Sequence, residues 1–298
     1  MVKLKTRSLW FLAAFLSLST VPTVAEVVED LSKCKGFLLE EFSPELPDIF
    51  KPRKKEIQNQ NRYKPICQTY NNERRFLTLY DTKNKIPVFS AYKYRGEGEG
   101  GRPAGDPWMI EPQLENSKDN KNMADVEENQ PYSKQASTVD YNNAKGYNKG
   151  HLFPSTHAFN QDDKISTFTL TNVAPQITAF NTGSWSNMEK CIKCLMDHNC
   201  NNEGFVVVGA TPGPEQNKNL NNRVNIPSML WSAFCCYNPK MKKWISAAHW
   251  GNNVDQSGMT IRSLGELNQQ LKGKVFHDQC PLIKNEGINA CGKTCKYN

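Results

Sequence analysis

His151 sits in a stretch, residues 146–189, whose side-chain types could hydrolyse an ester with the help of a metal. It follows Gly150 in the run Gly-Tyr-Asn-Lys-Gly-His-Leu-Phe-Pro-Ser. A histidine with a free pKa of about 6.5 suits proton abstraction from water at neutral pH, which makes His151 the candidate general base. Asn181 offers a neutral oxygen to a hard cation, and Glu189 offers a carboxylate to the ion or to its waters. One carboxamide cannot hold a divalent ion tightly, so a single Mg²⁺ or Mn²⁺ keeping most of its waters is expected there. Such an ion serves as a Lewis acid on phosphate and as an acidic water for a leaving group. Asn172 is a further candidate, placed to orient the histidine or a metal-bound water.

These groups need elements to hold them. Residues 167–171 alternate threonine and apolar side chains, the period-two pattern of a half-buried strand. A helix should come next, capped by Thr182 or Ser184, with Asn181, Trp185 and Glu189 at i, i+4 and i+8. On a 3.6-residue turn those three share one face.

Order and spacing of these motifs resemble the ββα-metal nucleases, the DNA/RNA non-specific endonuclease family, whose usual core is Asp-Arg-Gly-His. Flanking runs add to the likeness: Cys67-Gln-Thr-Tyr70, Arg75-Phe-Leu-Thr-Leu-Tyr-Asp-Thr82, Ile86-Pro-Val-Phe-Ser-Ala-Tyr92, Pro107-Trp-Met-Ile-Glu-Pro-Gln-Leu114 and Val208-Gly-Ala. The likeness extends from Phe42 to Ala248. It implies an α+β fold, a ββα-metal nuclease core around a mixed or antiparallel sheet, and an endonuclease cutting DNA and possibly RNA. It also implies that His151, Asn172, Asn181 and Glu189 do the work described above. Asn148-Lys149 stands where the family has Asp-Arg. Lysine keeps the charge but loses the guanidinium fork, so Lys149 is expected to meet phosphate as a point charge. The family uses a second, upstream arginine against phosphate; Arg102 is the nearest candidate and Arg95 the next. A slower nuclease is expected, and a binding protein that keeps the fold without turnover is the alternative. A phosphatase or phosphodiesterase acting on small molecules fits the same chemistry.

The first 25 residues read as a secretory signal peptide: Lys3, Lys5 and Arg7, an apolar run from Leu9 to Val21, then Thr23-Val-Ala25. The apolar run is too short to span a bilayer, and no later segment is apolar enough. Secretion, or retention in a secretory lumen, is the expectation. Cleavage would remove three positive charges and no negative ones, so the net charge of +7 becomes +4. A mildly basic chain permits a nucleic-acid partner, met mainly through phosphate, without announcing one. No zinc-finger spacing, basic zipper or recognition helix is apparent, so low sequence specificity is expected.

Ten cysteines in an export-bound chain are most simply five disulfides. Cys191-x-x-Cys194 with Cys200 and His198 can also be read as zinc ligands. Residues 26–60 look like an N-terminal extension with a basic run at Lys51–Lys55, residues 61–272 like one domain, and 273–298 like a cysteine-containing tail. Phe76–Tyr80 and Val88–Tyr92 read as a hairpin, 204–209 as a strand buried on both faces, and 224–234 and 243–249 as further strands. Residues 263–271 have helical spacing. Residues 95–135, glycine-rich and then polar, read as a mobile surface insertion.

Overall fold

The computed structural model describes residues 26–295 apart from 52–55, 97, 128–129, 131, 143, 215–218 and 283–290. The expected signal peptide and most of the Lys51–Lys55 run lie outside the described residues. Among those described, no helix is long and apolar enough to cross a membrane.

Among the described residues ten strands form: β1 (Tyr63–Tyr70), β2 (Glu73–Asp81), β3 (Ile86–Tyr94), β4 (Met109–Ile110), β5 (Ala124–Asp125), β6 (Tyr147–His151), β7 (Val173–Ile177), β8 (Gly204–Thr211), β9 (Met229–Asn238) and β10 (Lys243–Asn252). Six of them make one antiparallel sheet in the order β1-β2-β3-β8-β9-β10, while β4–β5 and β6–β7 are separate two-stranded pairs. Side chains alternate across a strand, so each central strand feeds two cores. In β9, Leu230, Phe234 and Cys236 join one core, whereas Met229, Trp231, Ala233 and Cys235 join the other. β8 does the same with Val206 and Val208 against Val207. That is why 204–209 reads as a continuous apolar run.

The same alternation explains two adjacent cysteines. Cys236 bonds Cys200 at the end of the 186–199 helix on one face, and Cys235 bonds Cys280 on the other. Cys34–Cys67, Cys191–Cys295 and Cys194–Cys291 complete five bridges. With Cys200 bonded to Cys236, the zinc set Cys191, Cys194, Cys200 and His198 is not assembled.

The first core carries the β6–β7 pair and the long helix; the second is covered by the 26–60 segment and the 264–271 helix. The described residues of 26–60 are thus part of the packed body: Val28, Leu31, Leu38, Leu39 and Phe50 are buried, and Val27 bridges to Ile66. Ser263 caps the 264–271 helix in a reciprocal box with Glu266.

Three expectations change. Thr167–Thr171 is not a strand but a fully buried turn leading into a 3₁₀ turn at 170–172, with the strand starting at Val173. The threonine hydroxyls find partners nearby instead: Thr167 donates to the Lys164 carbonyl, and Thr169 bonds Thr171. The 224–234 strand begins only at Met229. Asn225 is held by both backbone groups of Gly213, and Pro227 cannot donate to a ladder. The 95–135 insertion is largely anchored: Met109, Ile110, Glu111, Leu114, Met123 and Tyr132 are buried, and Met109 N–H donates to the Phe168 carbonyl at 2.9 Å.

Glu111 is the odd member of that anchor. Burial pushes its carboxyl up to about 8; the hydroxyls of Thr169 and Thr171 pull back, and Glu26 adds to the rise. A folded pKa above the unfolded value of 4.5 means extra protons bound in the folded state between the two. That stability is full below about 4.5 and lost as pH rises through 8. Glu111→Gln should therefore unfold at a higher temperature than the wild type at pH 9, by about 5 °C for a gain on the order of 3 kcal/mol. At pH 5 the two melting curves should nearly coincide, and a shift of equal size at both values would exclude titration as the cause.

Candidate active site

His151 closes β6, paired with Val173, while Gly150 pairs with Ala174 and Lys149 with Pro175. Gly150 is required here. A Cβ at that position would lie 2.1 Å from Gln176 Cδ, because the Gln176 side chain crosses over it. Asn172 fastens the hairpin from behind. It is fully buried, accepts from Ser90 Oγ and Phe153 N–H, and donates to the carbonyls of Phe153 and Thr167, all at 2.9–3.0 Å. Its amide is saturated and has no donor or acceptor left for a metal-bound water; what Asn172 fixes is the loop after His151.

The His151 ring packs edge-on to Phe168 (4.9 Å between centroids) and beside Trp108 (5.4 Å). Its Nε2 is buried with no hydrogen-bond partner. Burial pulls the imidazole down to about 3, Arg102 pulls the same way, and Asp106 opposes both. The ring is therefore neutral at neutral pH and has a free lone pair.

His151, Lys149, Asn148, Asn181 and Arg102 line one cleft of about 330 Å³ with Asp106, Trp108, Tyr141 and Tyr147. The Lys149 ammonium lies 5.1 Å from the Trp108 ring centroid and 5.4 Å from that of Tyr141. Burial lowers its pKa, and Asp106 offsets part of the drop. Arg102 lies over Phe168 (4.9 Å) and gives one edge to Asp106, Nε at 3.1 Å and Nη2 at 2.9 Å. Its other edge is not used by that carboxylate. Asn181 faces the cleft, and its amide makes no hydrogen bond among the described residues. A larger cavity of about 420 Å³ lies on the other face of the sheet, lined by Tyr63, Val88 and Met229 among others. It contains no histidine, and its Asp81 is already occupied by Arg62, Asn84 and two backbone amides. The smaller cleft is therefore the candidate site.

A profile of the DNA/RNA non-specific endonucleases matches residues 56–282, most of the chain. This chain belongs to that family. Among curated proteins it is similar to the mouse Endonuclease domain-containing 1 protein, 32% identical over 231 residues, which is 74% of this chain and 44% of the mouse protein. The human Endonuclease domain-containing 1 protein is 31% identical over 182 residues, 58% of this chain and 35% of that one. The chain thus spans less than half the length of these relatives. A chain in the crystal structure of the EndoG/EndoGI complex superposes with a TM-score of 0.51 at 16% identity, covering 72% of this chain and 88% of that one. The fold is that of a ββα-metal nuclease.

Two residues assigned to the site lie elsewhere. Arg95 pairs with Asp163 at 2.6 Å, stacks on Phe159 and does not line the cleft. Glu189 does not line it either. The expected single face breaks at residues 181–185, which wind as a π-helical turn with Gly183 at φ −97°, ψ −106°. A π turn rotates the helix beyond it, and such bulges are frequent at functional sites. Asn181 opens the turn toward the cleft, while Trp185 is buried. The half-buried Glu189 carboxyl is pushed up to about 8 by burial, with the Trp185 indole and Lys190 offsetting part of it.

Some cleft residues have no spacing signal. Trp108, Asp106 and Tyr141 arrive from outside the 146–189 stretch, and Tyr147, in the same strand as His151, carries no chemical pattern of its own. His157, which has no evident partner in the sequence, is a structural clasp. Its Nε2–H donates to the Glu189 carbonyl at 2.9 Å, which leaves Nδ1 to accept from Tyr92 O–H at 2.7 Å. That ties β3 to the helix beside the site.

Proposed function

We propose that the chain is a divalent-metal-dependent endonuclease that hydrolyses phosphodiester bonds in DNA, with His151 as general base; RNA is the second substrate to test. The observation that carries this reading is the unpartnered imidazole of His151 sharing one cleft with the unengaged amide of Asn181 and two cations. Water attacks the phosphorus as His151 takes its proton, so a neutral ring with a free lone pair is the form required. Lys149 and the free edge of Arg102 bind the phosphate oxygens and draw off the negative charge that builds during attack. The donor set fits a hard cation that keeps most of its waters: Asn181 would hold it, and Glu189, further along the same helix and outside the cleft lining, would act on it only through those waters. When bound, Mg²⁺ or Mn²⁺ supplies Lewis acidity and an acidic water for the leaving oxygen. Contacts confined to phosphate would make binding strongly salt-dependent and blind to sequence. Five disulfides support secretion or a secretory lumen as its place of work.

Plasmid incubated with the purified chain and Mg²⁺ should be nicked and then linearised, and a chelator in excess should stop both. Cutting that continues in the chelator would overturn metal dependence. The Lys149 ammonium, drawn between two aromatic rings, favours one rival: a binding protein that has lost turnover. That rival holds if nicking appears only in the Asn148→Asp, Lys149→Arg double variant.

A further inference from the structure

The helix that holds Asn181 near its start carries Cys191, Cys194 and His198 toward its end, at spacings that put them on neighbouring turns of one side. The tail is bonded to this side twice, Cys295 to Cys191 and Cys291 to Cys194. His198 Nδ1 lies 3.5 Å from Cys194 Sγ and 4.0 Å from Cys291 Sγ, and the three potential ligand atoms lie within 4.8 Å of one another. Tetrahedral zinc, with bonds of about 2.3 Å to sulfur and 2.0 Å to nitrogen, sets its ligand atoms about 3.5 Å (S to N) and 3.8 Å (S to S) apart. Both S···N separations are already close to that value. Only the two sulfurs are too near, because they are bonded to each other.

We propose that Cys194, His198 and Cys291 form a zinc site that opens when the Cys194–Cys291 disulfide is reduced. Cys194 is half-buried and His198 exposed, whereas Cys291 is buried. A thiolate of a dithiol reductant therefore attacks the Cys194 sulfur and expels the Cys291 thiolate; the reductant's second thiol then frees Cys194, and the reductant leaves as its own disulfide. Zn²⁺ binds the two sulfurs as thiolates and two protons go to solvent. His198 Nδ1 now bonds the Cys194 carbonyl at 2.9 Å. It gives up that bond for the metal, and its proton moves to Nε2. Water takes the fourth position at this exposed edge. Cys191–Cys295, one turn back, keeps the tail in register, so the Cys291 thiolate stays at high effective concentration beside its partners. The helix keeps its tail fastened in either redox state.

The test uses the full oxidised chain, treated without air with limited phosphine reductant, which does not compete for zinc. Alkylation and peptide mapping identify which cysteines have opened, metal analysis counts bound Zn²⁺, and chelator competition gives its affinity. One zinc per chain is expected in the reduced protein, none in the oxidised, with release on reoxidation. His198→Ala keeps every cysteine and should weaken zinc at least about tenfold, the loss that changing a neighbour of a ligand already brings. Three outcomes overturn the proposal: free thiols at 194 and 291 without zinc, wild-type affinity in His198→Ala, or those two cysteines still bonded when other pairs have opened.

Discussion

His151→Ala should lower plasmid cleavage by on the order of 10²–10⁴, the range a positioned base contributes, while leaving the protein folded. Its fold should survive because the ring makes no hydrogen bond that the core depends on and packs only on Phe168 and Trp108. The pH profile separates a base from a spacer. Burial holds the folded imidazole near 3, so the lone pair persists well below the pH at which a free histidine protonates. The acidic limb of kcat/KM, which reports the free enzyme, should therefore fall below 6.5. A limb at or above 6.5 would mean a ring open to water, or a different base. The sign for stability is opposite to that of Glu111. A depressed folded pKa leaves the unfolded chain binding more protons between about 3 and 6.5, so stability is lost as pH falls through that window. His157, held near 4, and His249, near 3, act in the same direction.

The sequence shows most clearly what local pattern dictates. The β2–β3 hairpin and β8 are evident because their apolar residues must fill cores on one or both sides of a sheet. Residue chemistry leads to His151 and Asn181, and the family resemblance adds Lys149 and Arg102; the cleft brings all four together. What hides is set by tertiary partners. Thr167–Thr171 alternates like a strand, yet its hydroxyls bond to neighbours and to Glu111 inside the core. The 95–135 segment is polar on average, and a few buried anchors such as Met109 and Leu114 decide its placement. An ideal helix would set Glu189 beside Asn181, and a single π turn at Gly183 breaks that register. Asn172 is saturated by groups up to 82 residues away, and Arg95 is taken by Asp163 from another segment. No spacing rule reaches such partners. Disulfide pairing is equally hidden, except that neighbours in a strand, such as Cys235 and Cys236, must look to opposite faces.

Asn181→Ala should be the most damaging change outside the histidine, and in a different way. Of the two carboxamides in the cleft only this one is free of hydrogen bonds among the described residues, since Asn148 accepts from Thr178; the Asp106 carboxylate is already clamped by Arg102. Losing a residue next to a metal ligand commonly costs about 10–100-fold, so losing the ligand itself should cost at least about 100-fold in kcat/KM at fixed Mg²⁺. The Mg²⁺ concentration for half-maximal cutting should rise in parallel, while the melting temperature stays near the wild-type value because no side-chain hydrogen bond among the described residues is removed. Glu189→Gln gives the contrast. It changes a carboxyl that does not line the cleft, so it should shift the Mg²⁺ requirement less than Asn181→Ala does. A Mg²⁺ titration of the three proteins separates these outcomes. If Asn181→Ala keeps the wild-type curve, the ion sits elsewhere in the cleft, and Asp106 becomes the donor to replace next. If Glu189→Gln proves the more severe of the two, the helix must turn that carboxyl toward the cleft when substrate and ion arrive.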